Sequence, residues 1–360
     1  MKQSFFPASQ DDQTLIPLTD AIWKHRDSGP ISQPPTAAKS DPREFQLVKL
    51  KSGEISVETM IYRPSELARR PLFIVNSIEF PMAPSVDFCE FMWEQGLQVI
   101  FIRRLGFGGT PGLPRVLLQA QNIRSGAAVA TEAAILHQLI SQLELKNVVL
   151  LGIGSGNPVC YRLCRLNSQI TLSVFSNAVF NQDSWKGFRP AWFGAMLRQT
   201  VMTQNGFRIA ARGLKFYMRK HSDNFFQQML QKSKGDQKYV ADNLADARIA
   251  LDLQMKISSK IFFYDLTMSM REDPSLRDGY FDDIPAIVLS GLETTDEWLS
   301  ETRREAERLN VPIVHADLGG MMVAYASREK LAEIIKCPSE YGASTIARPA
   351  APPARSPKTQ

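Results

Sequence analysis

Asn147-Val148-Val149-Leu150-Leu151-Gly152-Ile153-Gly154-Ser155-Gly156 decides the fold of this chain. The first five residues, four of them apolar and two β-branched, read as a short buried strand. Three glycines at alternate positions then call for a tight turn, and Val159 to Arg165 read as the helix that leaves it. Strand, glycine turn and helix in that order make the G-x-S-x-G pattern, which holds a nucleophilic serine at its centre. Here the central position is Gly154, and the serine comes one residue late, as Ser155. The turn is kept while the residue that would do chemistry on it is displaced.

Composition narrows the class around that turn. A chain of 360 residues can form one large domain or two ordinary ones, and 44% apolar residues suit a globular protein with a substantial core. A net charge of +5 is too small to signal nucleic-acid binding, and none is expected. Cys89, Cys160, Cys164 and Cys337 are too few and too scattered for a disulfide framework. No His or Cys pair accompanies Cys160 and Cys164, so they read as small core residues and no metal site is expected. No apolar signal-peptide region follows Met1 and no stretch is apolar enough to span a membrane, so the expectation is a soluble, cytoplasmic protein.

Residues 1–43 are rich in Pro, Ser, Gln and Asp and read as a disordered or extended leader, with one short helix over Leu15–Trp23. Residues 338–360, with Arg348-Pro349-Ala350-Ala351-Pro352-Pro353, read as a disordered tail. Between them lie eight strand candidates: Phe45–Leu50, Ile55–Tyr62, Pro71–Ser77, Leu97–Ile102, Asn147–Leu151, Ile170–Ser176, Pro285–Ser290 and Val311–His315. Helical stretches at Val86–Gln95, Ala120–Leu143, Val159–Leu166, Thr295–Leu309 and Arg328–Lys336 separate them, which predicts an α/β sheet with helices on both faces. Residues 178–284 show no buried strand and read as helical. Such an insertion sits at the carboxyl ends of the strands, where α/β folds bind ligands.

From residue 45 to residue 337 this organisation resembles the α/β-hydrolase fold superfamily. The antiparallel start around Lys51-Ser52-Gly53-Glu54, the eight strands, the elbow after the fifth and a helical cap after the sixth all match. So does Leu105-Gly106-Phe107-Gly108-Gly109-Thr110, which is similar to the family's glycine-rich R-G-x-G-x-S turn. The resemblance implies a mostly parallel sheet in a core of residues 44–177 and 285–337, with the cap at 178–284. It also implies a Ser/His/Asp triad, and each triad position is degenerate here. The nucleophile position is Gly154, the acid position after Gly291-Leu292-Glu293 is Thr294, and the histidine position after Asp317-Leu318-Gly319-Gly320 is Met321. The matching oxyanion hole needs only backbone N–H groups, those of Ser155 and of Ile78.

Neighbouring residues offer substitutes: Ser155 as nucleophile, Glu293 or Asp296 as acid, and His315 as base. Each also has an ordinary reading, as a helix-terminal residue or a partly buried strand residue. The other histidines, His25, His137 and His221, lie away from the strand ends in sequence.

The cap carries a separate signal. From Ser184 to Ser222 there is no Asp or Glu, while Lys186, Arg189, Arg198, Arg208, Arg212, Lys215, Arg219 and Lys220 are interleaved with Trp185, Phe188, Trp192, Phe193, Phe207, Phe216 and Tyr217. Arg208, Arg212, Lys215 and Arg219 share a face at helical spacing beside a stripe of Phe207, Ala211, Leu214 and Met218. The patch suits either plain solvation or an anionic surface or acidic protein.

Two readings of function follow. The leading one is a non-catalytic hydrolase-fold protein that binds a small apolar or acyl-bearing molecule or a protein partner. The alternative is a serine hydrolase of the esterase, thioesterase or lipase kind, using Ser155 with a relocated acid and base on carboxylic esters or thioesters. No cofactor is expected. Residue 157 is Asn where a dinucleotide fingerprint needs Gly, and no Gly-Lys-Ser/Thr follows the turn.

Overall fold

The computed structural model describes residues 41–50, 55–66, 69–78, 80–180, 203–220, 225–269, 273 and 275–343. The leader helix over Leu15–Trp23, the tail beyond residue 343, His25, His221 and the aromatic stretch containing Trp185, Phe188, Trp192 and Phe193 lie outside the described residues.

Eight strands form one sheet in the order β1-β2-β4-β3-β5-β6-β7-β8. They are β1 (Arg43–Lys49), β2 (Ser56–Tyr62), β3 (Arg70–Val75), β4 (Leu97–Ile102), β5 (Val148–Ile153), β6 (Ile170–Ser176), β7 (Ala286–Gly291) and β8 (Ile313–Ala316). β2 runs antiparallel to both β1 and β4, and every other pairing is parallel. The sheet is thus the mostly parallel one expected, and each strand lies within two or three residues of its sequence reading.

Strand periodicity divides the core into two layers. Phe73, Val75, Ile100, Ile102, Leu150 and Val288 face one side, where they pack with α3 (Ala127–Gln142) and α4 (Asn157–Leu166). Leu72, Ile74, Val99, Phe101, Val149, Leu151, Ile287 and Leu289 face the other, against α1 (Val86–Glu94) and α12 (Arg328–Lys336). Burial of both faces explains why these strands are near-continuous apolar runs. Cys89, Cys160 and Cys164 are free and buried in these layers.

The expected single helix over Ala120–Leu143 is two. α2 (Ala120–Arg124) ends at Ser125, and Gly126, at φ 79°, precedes α3. Between β6 and β7 five helices are described: α5 (Gln204–Lys220), α6 (Phe225–Met229), α7 (Lys234–Asp242), α8 (Leu244–Lys256) and α9 (Ser259–Ser269). After β7 comes α10 (Asp296–Leu309), and after β8 the single turn α11 (Val323–Ala326). Among the described residues no helix is long and apolar enough to cross a membrane.

Candidate functional site

The elbow forms where its glycines stand. β5 ends at Ile153, one 3-10 turn covers Gly154–Gly156, and α4 begins at Asn157. Gly154 sits at φ 49°, a conformation that costs a non-glycine residue about 1–3 kcal/mol. A Cβ on Gly156 would lie 2.5 Å from the Val75 carbonyl oxygen, so only glycine lets the turn approach the end of β3 this closely. Asn157 Nδ2 donates to the carbonyls of Gly154 at 2.8 Å and Ser176 at 3.1 Å, which ties the turn to the end of β6.

Ser155 points inward and is 1% exposed. Its Oγ accepts the Ile78 N–H at 3.0 Å and lies 3.0 Å from Ser77 Oγ. In the Ser77–Ser155 contact either hydroxyl can be the donor. The Ile78 N–H, aimed at the elbow as an oxyanion donor would be, is taken up by the Ser155 side chain.

Behind Ser155 lies a buried charge cluster. Arg104, just past β4, donates from Nη1 to Asp265 Oδ1 at 2.6 Å and to the Ser155 carbonyl at 3.1 Å. Its Nε and Nη2 form a fork on Glu132 of α3 at 2.9 and 3.0 Å, and the Tyr264 hydroxyl adds a bond to Glu132 at 2.9 Å. One guanidinium thereby joins β4, α3, α9 and the elbow, with two carboxylates sharing its single positive charge. Burial pushes the Asp265 carboxyl up to about 6; Arg104 and the Ser155 hydroxyl oppose the shift and Glu132 adds to it.

This shift has a measurable consequence. The unfolded carboxyl releases its proton near 3.8 and the folded one near 6, so folding is favoured by Asp265 at low pH and loses that contribution as pH rises through 6. About two pKa units at 1.36 kcal/mol each give roughly 3 kcal/mol. Urea unfolding of Asp265→Asn and the native protein at pH 4 and pH 7 should show the variant gaining on the native by about that amount at the higher pH. A stability difference that does not change with pH would contradict the assignment.

The other triad-like positions lead elsewhere. Glu293 Oε2 accepts from Ser233 Oγ and from the N–H groups of Gly235 and Gly319, each at 2.8 Å. Burial works to raise its pKa, but these donors outweigh it and hold the carboxyl below its ordinary value. Asp236, in the first turn of α7, reaches the loop after β8. Its carboxylate accepts from the N–H groups of Gly320, Met321 and Met322 at 2.8–3.2 Å. Burial raises the Asp236 carboxyl and those backbone donors restrain it. The loop that carries Met321 is therefore clamped to the helical insertion by one carboxylate from each side.

Asp296 is exposed in the first turn of α10, where Thr295 caps the helix by accepting from the Trp298 N–H at 3.3 Å. His315 is on β8 with Nε2 3.3 Å from Arg303 of α10; burial and the Arg303 charge hold its pKa below the ordinary value. Thr294 is half-buried. Glu293, Asp296 and His315 make no hydrogen bond to Ser155. Gly154 and Met321 do share a cavity, with Asn76, Ser77, Phe80, Ile153, Asn177, Met322 and Tyr325. Its volume is about 10 Å³, room for a single water.

Solved structures share this architecture. A protein from Nakamurella multipartita, described as an alpha/beta hydrolase fold protein, is 21% identical with a TM-score of 0.50, covering 82% of this chain and 100% of that one. The Cif epoxide hydrolase from Acinetobacter nosocomialis is 13% identical with a TM-score of 0.58, covering 83% and 90%. An esterase from Exiguobacterium antarcticum is 14% identical with a TM-score of 0.51, covering 82% and 100%. This chain has the α/β-hydrolase fold. No protein-family model matches the sequence, and no curated protein is similar to it.

Within the hydrolase fold, the residues that hold the elbow are ones that motif matching passes over. Asp265 stands alone among Ile261, Phe262, Phe263, Tyr264 and Leu266, and Glu132 stands in an alanine-rich helix. A lone acid in an apolar run signals a buried, paired charge. Asp236 gave no such signal, because Lys234 and Lys238 beside it make the helix look merely solvated.

Proposed function

We propose that this hydrolase-fold protein is non-catalytic and works by binding. The observation that carries the reading is the state of Ser155, whose hydroxyl occupies the Ile78 N–H where a substrate oxyanion would need to sit. Gly154 and Met321 add that neither a nucleophile nor a base stands at the family positions. The cavity beside Gly154, at about 10 Å³, has no room for an acyl group.

The serine-hydrolase reading has one observation in its favour. Asp265, with a carboxyl raised to about 6, lies behind the elbow, where Arg104 binds both its carboxylate and the Ser155 carbonyl, and is a base of useful strength. Attack through Ser155 would require the hydroxyl to leave Ile78 and Ser77 and substrate to reach a side chain that is 1% exposed. Turnover of p-nitrophenyl acetate and butyrate separates the two readings. The expected rate equals that of Ser155→Ala and is no higher than buffer. Turnover above buffer that Ser155→Ala abolishes would replace the binding reading with the hydrolase one.

A further inference from the structure

The surface of α5 faces two ways. Phe207, Ala211 and Met218 are buried inward, with the Phe207 ring tilted against those of Phe262 and Phe263 of α9 at centroid distances of 5.5 and 5.3 Å. On the outer side Ile209 is 72% exposed and Phe216 71% exposed. Seven residues apart, they stand on one line along the helix. Gly213 lies between them, and a Cβ placed there would have nothing within 4 Å, so that line is uncovered.

Charge frames the apolar line. Arg208, Arg212, Arg219 and Lys220 are exposed, and none forms an ion pair with a carboxylate among the described residues. Lys215 is half-buried and donates to the Ile257 carbonyl, so it anchors the helix and does not belong to the outer face. The 17 residues of α5 contain no Asp or Glu. Cations gathered around two protruding apolar side chains repel one another and depend on solvation.

We propose that α5 docks this protein on an anionic lipid bilayer, with Ile209 and Phe216 entering the headgroup–acyl boundary and Arg208, Arg212, Arg219 and Lys220 meeting lipid phosphates and carboxylates. A bilayer is favoured over an acidic protein because two large apolar side chains, Ile209 and Phe216, stand more than two-thirds exposed among the cations. Protruding side chains enter a fluid surface without needing a matching groove, and guanidinium groups bind phosphate oxygens in pairs. None of these residues touches the elbow, so the docking stands apart from the catalytic question.

Sedimentation of the full chain with vesicles tests the docking. At about 0.1 M salt it should bind vesicles of phosphatidylcholine containing roughly 30% phosphatidylserine and not vesicles of phosphatidylcholine alone. Binding should fall at least ~10-fold near 0.5 M salt, where screening is strong. Arg212→Glu with Arg219→Glu, and separately Ile209→Ser with Phe216→Ser, should each weaken it at least ~10-fold with no change in melting temperature, because these side chains are exposed. Failure to bind the phosphatidylserine vesicles, equal binding to both vesicle types, or full binding by either double variant would overturn the proposal. Failure on vesicles with retained binding to a polyglutamate column would assign the face to an acidic protein instead.

Discussion

Replacing Arg104 with methionine is expected to destabilise this protein by about 4 kcal/mol at pH 7, within the 3–5 kcal/mol typical of breaking a buried ion pair from one side. Arg104 is the counter-charge for two carboxylates, Glu132 and Asp265, each about 1% exposed. Without it two like charges face each other in the core, and Asp265, whose carboxyl burial already raises, responds by taking up a proton. The loss should therefore shrink at pH 5, where protonation removes the uncompensated charge. The Ser155 carbonyl also loses its donor, so the elbow loosens along with α3 and α9. Urea unfolding at the two pH values measures both parts. A loss under ~1 kcal/mol, or one unchanged between pH 7 and pH 5, would mean that water reaches the cluster and screens it.

The second large effect is expected at Asp236. Asp236→Ala leaves the N–H groups of Gly320, Met321 and Met322 without their acceptor, and Gly320 and Met322 are buried. At roughly 1–2 kcal/mol for each of the three orphaned donors the cost is about 3–6 kcal/mol. Asp236→Asn keeps one acceptor oxygen and should lose about half as much. The damage should be local first. Hydrogen exchange ought to accelerate at residues 319–322, which follow β8, and at the start of α7, while β3 and β5 stay protected. Uniform acceleration over the whole sheet would show that the clamp serves global folding and does not specifically hold the loop.

These two residues mark the boundary of what the sequence made legible. The elbow could be read directly, because Gly152, Gly154 and Gly156 at the end of an apolar strand answer to backbone geometry that no other residue satisfies. The strands could be read because burial on both faces leaves continuous apolar runs, and the order of elements then fixed the neighbours. The break at Ser125-Gly126 was hidden, since apolar periodicity continues across it and only the left-handed Gly126 separates the helices.

The site was harder to read for a physical reason. Glu293, Asp296 and His315 were singled out by closeness in sequence to family positions, yet sequence distance does not give side-chain direction. The strand carries His315 toward Arg303, and the loop turns Glu293 toward Ser233 and Gly235. Asp265 meets the elbow through Arg104, 110 residues along the chain from Ser155, by way of an insertion whose packing no local pattern specifies. That Gly154 stands at the centre of the elbow and Met321 after β8 could be read directly. The placement of the Ser155 hydroxyl on the Ile78 N–H, beside a buried guanidinium, became visible only in three dimensions.

Intact-mass analysis after prolonged exposure to a fluorophosphonate tests the central claim most directly. A Ser155 hydroxyl that is 1% exposed and engaged with the Ile78 N–H and Ser77 should remain unmodified, and the protein mass should not change. A single stoichiometric adduct that maps to Ser155 and is absent from Ser155→Ala would show an activated nucleophile and contradict the account.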